Sequence, residues 1–146
     1  MKIATEAIEI KRVVPTSSGT GIFLGNERKT FLLYVDNVMG EQIDFAFKKQ
    51  TQPRPLTSDF IRYILCSFEI AVKSIIIYDE KEGTFYAKVI LQQEGNCTSV
   101  VEMDIRPSDA ILLSLSVNKP VYVTQKVLDS LQDSSDILKN LKSMES

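Results

Sequence analysis

Apolar and polar residues alternate along Thr5–Val14, with Ile8, Ile10 and Val14 on one side and Glu9 and Lys11 on the other. That period of two marks a half-buried β-strand. Pro15-Thr16-Ser17-Ser18-Gly19 reads as a turn, and Gly21–Gly25 with Thr30–Val35 as a hairpin around Asn26-Glu27-Arg28-Lys29. Val38, Met39, Ile43, Ala46 and Phe47 are spread among charges, which predicts a short amphipathic helix over Val38–Lys49. Pro53 and Pro55 make Gln50–Pro55 a loop. The next helix is capped by Thr57 or Ser58 and carries Ile61, Ile64, Leu65, Phe68 and Val72 along one face.

The second half repeats the alternation. Ser74–Tyr78 is a strand whose Ile75-Ile76-Ile77 run suits burial on both faces, and Asp79–Gly83 is a charged turn. Thr84–Leu91 and Ser99–Ile105 form a second hairpin across Gln92–Thr98. A mostly apolar helix over Ser108–Val117, a short strand Val121–Thr124 and a short helix Gln125–Leu131 follow. Residues 132–146 read as a polar tail, with a helical turn around Ile137, Leu138 and Leu141 and a frayed end. The expected fold is α+β: one domain over residues 1–131, with a mixed sheet and several short helices. An imperfect internal duplication is visible. Hairpin-then-helix occurs at Thr20–Lys49 and Thr84–Val117, and helix-then-strand at Asp59–Tyr78 and Asp109–Thr124. The sequence leaves the register of the repeat open.

Composition narrows the chemistry. A chain of 146 residues has the length of a single domain with its own core. It contains no histidine, so Ser-His-Asp and Cys-His nucleophiles and imidazole metal sites are excluded. Its two cysteines, Cys66 and Cys97, are too few for a disulfide framework. A net charge of −2 argues against a strong nonspecific grip on nucleic acid. The absence of a long apolar run gives no expected membrane partner, and the N-terminal residues lack the apolar core of a signal peptide. A cytoplasmic location is therefore expected.

Two segments concentrate charge at helix starts: Arg54-Pro55-Leu56-Thr57-Ser58-Asp59 and Arg106-Pro107-Ser108-Asp109. The stretch Met103-Asp104-Ile105-Arg106-Pro107-Ser108-Asp109-Ala110-Ile111-Leu112-Leu113, with Pro120-Val121-Tyr122-Val123 downstream, resembles the signature of the bifunctional nuclease family. Pro53-Arg54-Pro55-Leu56-Thr57-Ser58-Asp59 and Gly83-Thr84-Phe85-Tyr86-Ala87 resemble two further family segments, so the likeness runs from about Ala4 to Leu128. The resemblance implies a nuclease acting on DNA and RNA, an α+β fold and a homodimer. It also places Ser58 where the family commonly has His, so chemistry that used that His is lost here.

The residues themselves suggest how phosphodiester hydrolysis would run. Glu102 and Asp104, two apart on a strand, point to one face, and Asp109 follows closely. Together they could offer hard oxygen ligands to Mg²⁺ or Mn²⁺, with no organic cofactor. Asp104, Asp109 and Arg106 are then the catalytic set, with Arg106 forking onto a phosphate. Ser108 donates a hydrogen bond, and Arg54 and Asp59 supply a mirror-image half that binds substrate. The same residues fit plain helix capping and ion pairing equally well. In that case the protein is a non-catalytic binding or regulatory module, or an assembly protein.

Overall fold

The computed structural model describes residues 3–145. The alternating N-terminal segment is β1 (Thr5–Thr16), which pairs antiparallel with β2 (Gly19–Gly25), and β2 in turn with β3 (Thr30–Val35). Helices α1 (Asn37–Phe47) and α2 (Thr57–Ser67) follow. A second antiparallel meander is built from β4 (Ile70–Lys81), β5 (Thr84–Gln93) and β6 (Ser99–Ile105), and runs into α3 (Pro107–Val117). The chain ends in β7 (Val121–Thr124), α4 (Gln125–Ser130) and α5 (Ser135–Met144).

The seven strands form one mixed sheet in the order β3-β2-β1-β7-β4-β5-β6. β7 is antiparallel to β1 and parallel to β4. The order reads the same outward from β7 in both directions: a meander and its helix stand on each side. Hairpin-then-helix is thus the repeat the fold uses, and the α+β architecture stands as read from the sequence. Phe31 of β3 stacks on Phe85 of β5 at 5.8 Å between centroids, although their strands lie near opposite ends of the sheet. The sheet is therefore bent until its outer strands face each other across a cleft.

One core joins the two repeats. Ile22, Leu24, Phe31 and Leu33 from the first meander pack in the same cluster as Ile75, Ile77, Ala87 and Val89 from the second. Ile43 of α1, Leu65 of α2, and Ala110, Ile111 and Leu112 of α3 close it. Burying such side chains contributes roughly 1.5–3 kcal/mol each before entropy is counted. α1 lies close on β2 because Gly40 has no side chain. A Cβ there would sit 2.7 Å from Thr20 Cγ2 and closer still to Thr20 Oγ1 and Cβ.

Several local expectations change. α2 starts at Thr57, so Thr57 and Ser58 occupy its first turn rather than capping it; Asp59 instead accepts from the Leu56 amide at 2.9 Å. α2 ends at Ser67 because the backbone turns left-handed at Glu69 (φ 56°). Phe68 is thereby exposed, and Val72 joins β4. The charged turn shrinks to Glu82-Gly83, both at positive φ (51° and 84°), the conformation of a two-residue hairpin loop. Strand alternation in β4 leaves Ile75 and Ile77 buried on one face and Ile76 only partly buried on the other. The helical turn expected near Leu138 is the ten-residue α5. Ser134 N donates to Thr30 O at 2.7 Å, Leu138 is buried, and Arg12 on β1 pairs with Glu145.

Candidate functional site at the paired strand ends

β3 and β6 are equivalent strands in the two repeats, and each runs straight into a helix. Their ends meet at the cleft, a hollow of about 1030 Å³. Tyr34 and Asp36 come from the first repeat, and Asp104, Arg106, Ser108 and Asp109 from the second. Tyr86 and Glu80 stand on the β4–β5 side. In the repeat, Tyr34 corresponds to Asp104, and Asp36 to Arg106. The duplicated architecture thus places four non-identical side chains around one cavity.

The local sequence explains each placement. Pro107 fits the first helical position because it lacks the amide hydrogen that would go unpaired there. Arg106 becomes the residue before the helix, and Asp109 lies one turn on. Their side chains pair in a fork, Nε to Oδ2 at 2.8 Å and Nη2 to Oδ1 at 3.2 Å. Asp109, and more weakly Asp36, hold the Arg106 guanidinium above its ordinary pKa, so it is a permanent cation. The pair is open to water, with side-chain exposures of 68% and 43%. Asp36 caps α1 by accepting from Met39 N at 2.9 Å.

Asp104 sits beside Tyr78, whose hydroxyl donates to it at 3.3 Å. Partial loss of water and then the Asp104 charge raise the Tyr78 pKa, so the phenol stays protonated at neutral pH. Tyr78 also lies against Tyr86, with ring centroids 6.5 Å apart. Lys88 reaches over the Tyr78 ring and Lys81 over the Tyr86 ring, at 5.3 and 5.7 Å.

The structure therefore brings Asp104, Arg106, Ser108 and Asp109 to one cavity. It does not bring Glu102, Arg54 or Asp59 there. Glu102 shares a strand face with Asp104 but pairs across the sheet with Lys88 at 2.9 Å. Arg54 and Asp59 line a separate hollow of about 450 Å³ with Arg62 and Tyr63. The positions that mirror Asp104 and Arg106 in the first repeat are Tyr34 and Asp36, because the repeat pairs α3 with α1, not with α2. Aligning the two hairpin-then-helix units would have shown this, since β3 and β6 each end two residues before their helix. Among the described residues no group of three or more acidic or cysteine side chains is placed to hold a metal ion.

An α+β domain of two repeated units with one open cleft at their equivalent strand ends is the class that fold and site define. A model of the bifunctional nuclease domain matches residues 22–136, and the chain belongs to that family. An uncharacterised protein of Mycobacterium tuberculosis is 38% identical over 76 residues, which is 52% of this chain and 43% of that protein. Bifunctional nuclease 1 of Oryza sativa subsp. japonica is 24% identical over 75 residues, 51% of this chain and 23% of the rice protein. The match spans less than half the length of either relative. Among the described residues no helix is long and apolar enough to cross a membrane.

Proposed function

We propose that the protein hydrolyses phosphodiester bonds of nucleic acid in the cleft between β3 and β6. The observation that carries this reading is that Arg106, Ser108 and Asp109 line the same open cavity as Asp104. A phosphate entering there replaces Asp109 on the Arg106 fork. The exchange is inexpensive, since an exposed ion pair contributes only about 0–1 kcal/mol. The first-turn amides of α3 add partial positive charge toward the same anion. The Tyr78 hydroxyl donates to Asp104 and orients it for a water or a cation.

The acids present fit Mg²⁺ or Mn²⁺ only where one or two carboxylates share the ion with substrate phosphate oxygens. Asp104 is the ligand that geometry favours for it, and Asp109 becomes available once Arg106 turns to the phosphate. When bound, such an ion neutralises phosphoryl charge and lowers the pKa of a bound water. Glu102, occupied by Lys88, is left out of this set.

The test is cleavage of a labelled single-stranded oligonucleotide by highly purified protein with Mg²⁺ or Mn²⁺. Asp104→Ala is expected to abolish it, as is a chelator, and Arg106→Ala to slow it roughly 100-fold or more. Cleavage that survives both Asp104→Ala and Asp109→Ala in folded protein would remove the site. A second reading, a non-catalytic module, is favoured by the Asp59–Leu56 cap and the Arg106–Asp109 fork, which are also good structural devices. Absence of any turnover from the wild type would select it. In either reading we propose a homodimer, supported by the exposed edge strand β6 and the apolar surface of α2.

A further inference from the structure

We propose that Tyr34, from the first repeat, is the base-stacking residue of the cleft, and that it holds the base of a nucleotide whose phosphate lies on Arg106. The inference rests on the phosphate-binding reading of Arg106 but not on catalysis. Tyr34 is 73% exposed although it lies within a strand. Among the described residues its ring has no aromatic or cation partner and its hydroxyl no hydrogen bond. The other two tyrosines at this end of the sheet, Tyr78 and Tyr86, are already engaged with each other and with Lys88 and Lys81. Tyr34 alone offers an uncommitted ring.

Tyr34 stands opposite a glycine. Gly21 is its partner on β2, and a Cβ on Gly21 would lie 3.7 Å from Tyr34 Cε1. One edge of the ring thus lies beside Gly21, at ordinary van der Waals distance from where a side chain there would begin. Tyr34 and Arg106 line the same cavity. A cation for the phosphate on one strand end and a flat apolar face on the equivalent strand end are what a nucleotide unit requires. Stacking on one such ring contributes enough to bind a base without reading its identity.

The probes are dTMP and a (dT)8 strand, each titrated in EDTA so that binding is read without turnover. The chain has five tyrosines and no tryptophan, so the part of the tyrosine-fluorescence quenching that is lost when Tyr34 is replaced reports the stacked ring. Binding is followed in parallel by anisotropy of labelled (dT)8. Tyr34→Ala is expected to weaken (dT)8 roughly ten-fold or more and to remove most of the quenching, while Tyr34→Phe, which keeps the face, binds like wild type. Tighter binding of (dT)8 than of dTMP identifies a strand as the ligand, and equal affinity a free nucleotide. Tyr34→Ala binding as well as wild type overturns the stacking role while leaving the nuclease reading intact. Loss of binding in Tyr34→Phe as well overturns it too, since a lost face is then not the cause. Binding that depends on Tyr34 in a protein that never cleaves supports the stacking role and rejects the nuclease. A wild type that neither binds nor cleaves overturns both.

Discussion

Asp133 gathers three hydrogen bonds on one carboxylate oxygen. Ser135 Oγ donates at 2.6 Å, Thr30 N at 3.0 Å and Ser135 N at 3.1 Å. The Ser135 hydroxyl first, and then the Thr30 amide, lower its pKa below the ordinary 3.8, with Lys29 adding to the effect. A lowered folded-state pKa means the ionised carboxylate favours the fold. Its contribution is complete above pH 3.8 and is lost as pH falls through the folded-state value. Asp133→Asn is therefore expected to melt below wild type at pH 7, with the two Tm values converging toward pH 3. Circular dichroism melts across that range provide the check, and a constant gap at every pH would refute the assignment. Asp59 and Asp109 make a second comparison at this scale, because both sit third in their helices. In Arg106-Pro107-Ser108-Asp109 the arginine itself precedes the helix, so its side chain claims Asp109. Two extra residues, Leu56 and Thr57, put Arg54 out of reach, and Asp59 turns to the Leu56 amide. Asp59→Ala is expected to cost about 1 kcal/mol. Asp109→Ala should cost less than that, since its partner is exposed. Denaturant unfolding of the two variants side by side measures the difference.

At the scale of elements, close approach sets the stability of the first repeat. Adding a methyl group at Gly40 drives it into Thr20, which is buried and donates to Asn37 at 2.8 Å. Overpacking of this kind costs roughly 1–3 kcal/mol, which for a domain of this size lowers Tm by roughly 4–10 °C. Gly95→Ala is the control: a Cβ there meets only Cys97 O, at 3.9 Å, and the melt should hardly move. Gly40 also shows where the sequence stopped being legible. Alternation and helical spacing are local, so they located the strands, hairpins and α3. Whether a glycine inside α1 is a weak spot or a contact depends on what crosses it, and Thr20 is twenty positions upstream. The same limit misplaced the stripe on α2. Phe68 and Val72 keep helical spacing in the sequence, but the turn at Glu69 ends the helix between them. It hid the site's second wall as well. Arg54 and Arg106 look equivalent because they share a dipeptide, whereas the equivalent positions in the fold are Asp36 and Arg106, which share none.

For the whole molecule, the bent sheet leaves one edge without cover. β3, at one end, meets Asp133 and Ser134 through Thr30. β6, at the other, is exposed from Ser99 to Asp104, including Val100, Val101 and Met103. An open apolar edge is an invitation to pair with another strand, and proteins normally cover or blunt it. Nearby, α2 and Phe68 just after it expose Phe60, Ile61, Tyr63, Ile64 and Phe68, more large apolar side chains than a solvated helix end carries without purpose. Two copies related by a two-fold axis satisfy both needs, because antiparallel pairing of β6 with itself is self-complementary. Lysines on the outer edge should undo it without touching the core, since these positions already face water. Val101→Lys with Met103→Lys is thus expected to convert a dimer to a monomer in sedimentation equilibrium, with the secondary structure unchanged by circular dichroism. Ile64→Lys should weaken the dimer by itself if α2 shares the interface, and leave it intact if the contact is the strand alone. A wild type that sediments as a monomer at tens of micromolar would mean that this face serves a different partner or none.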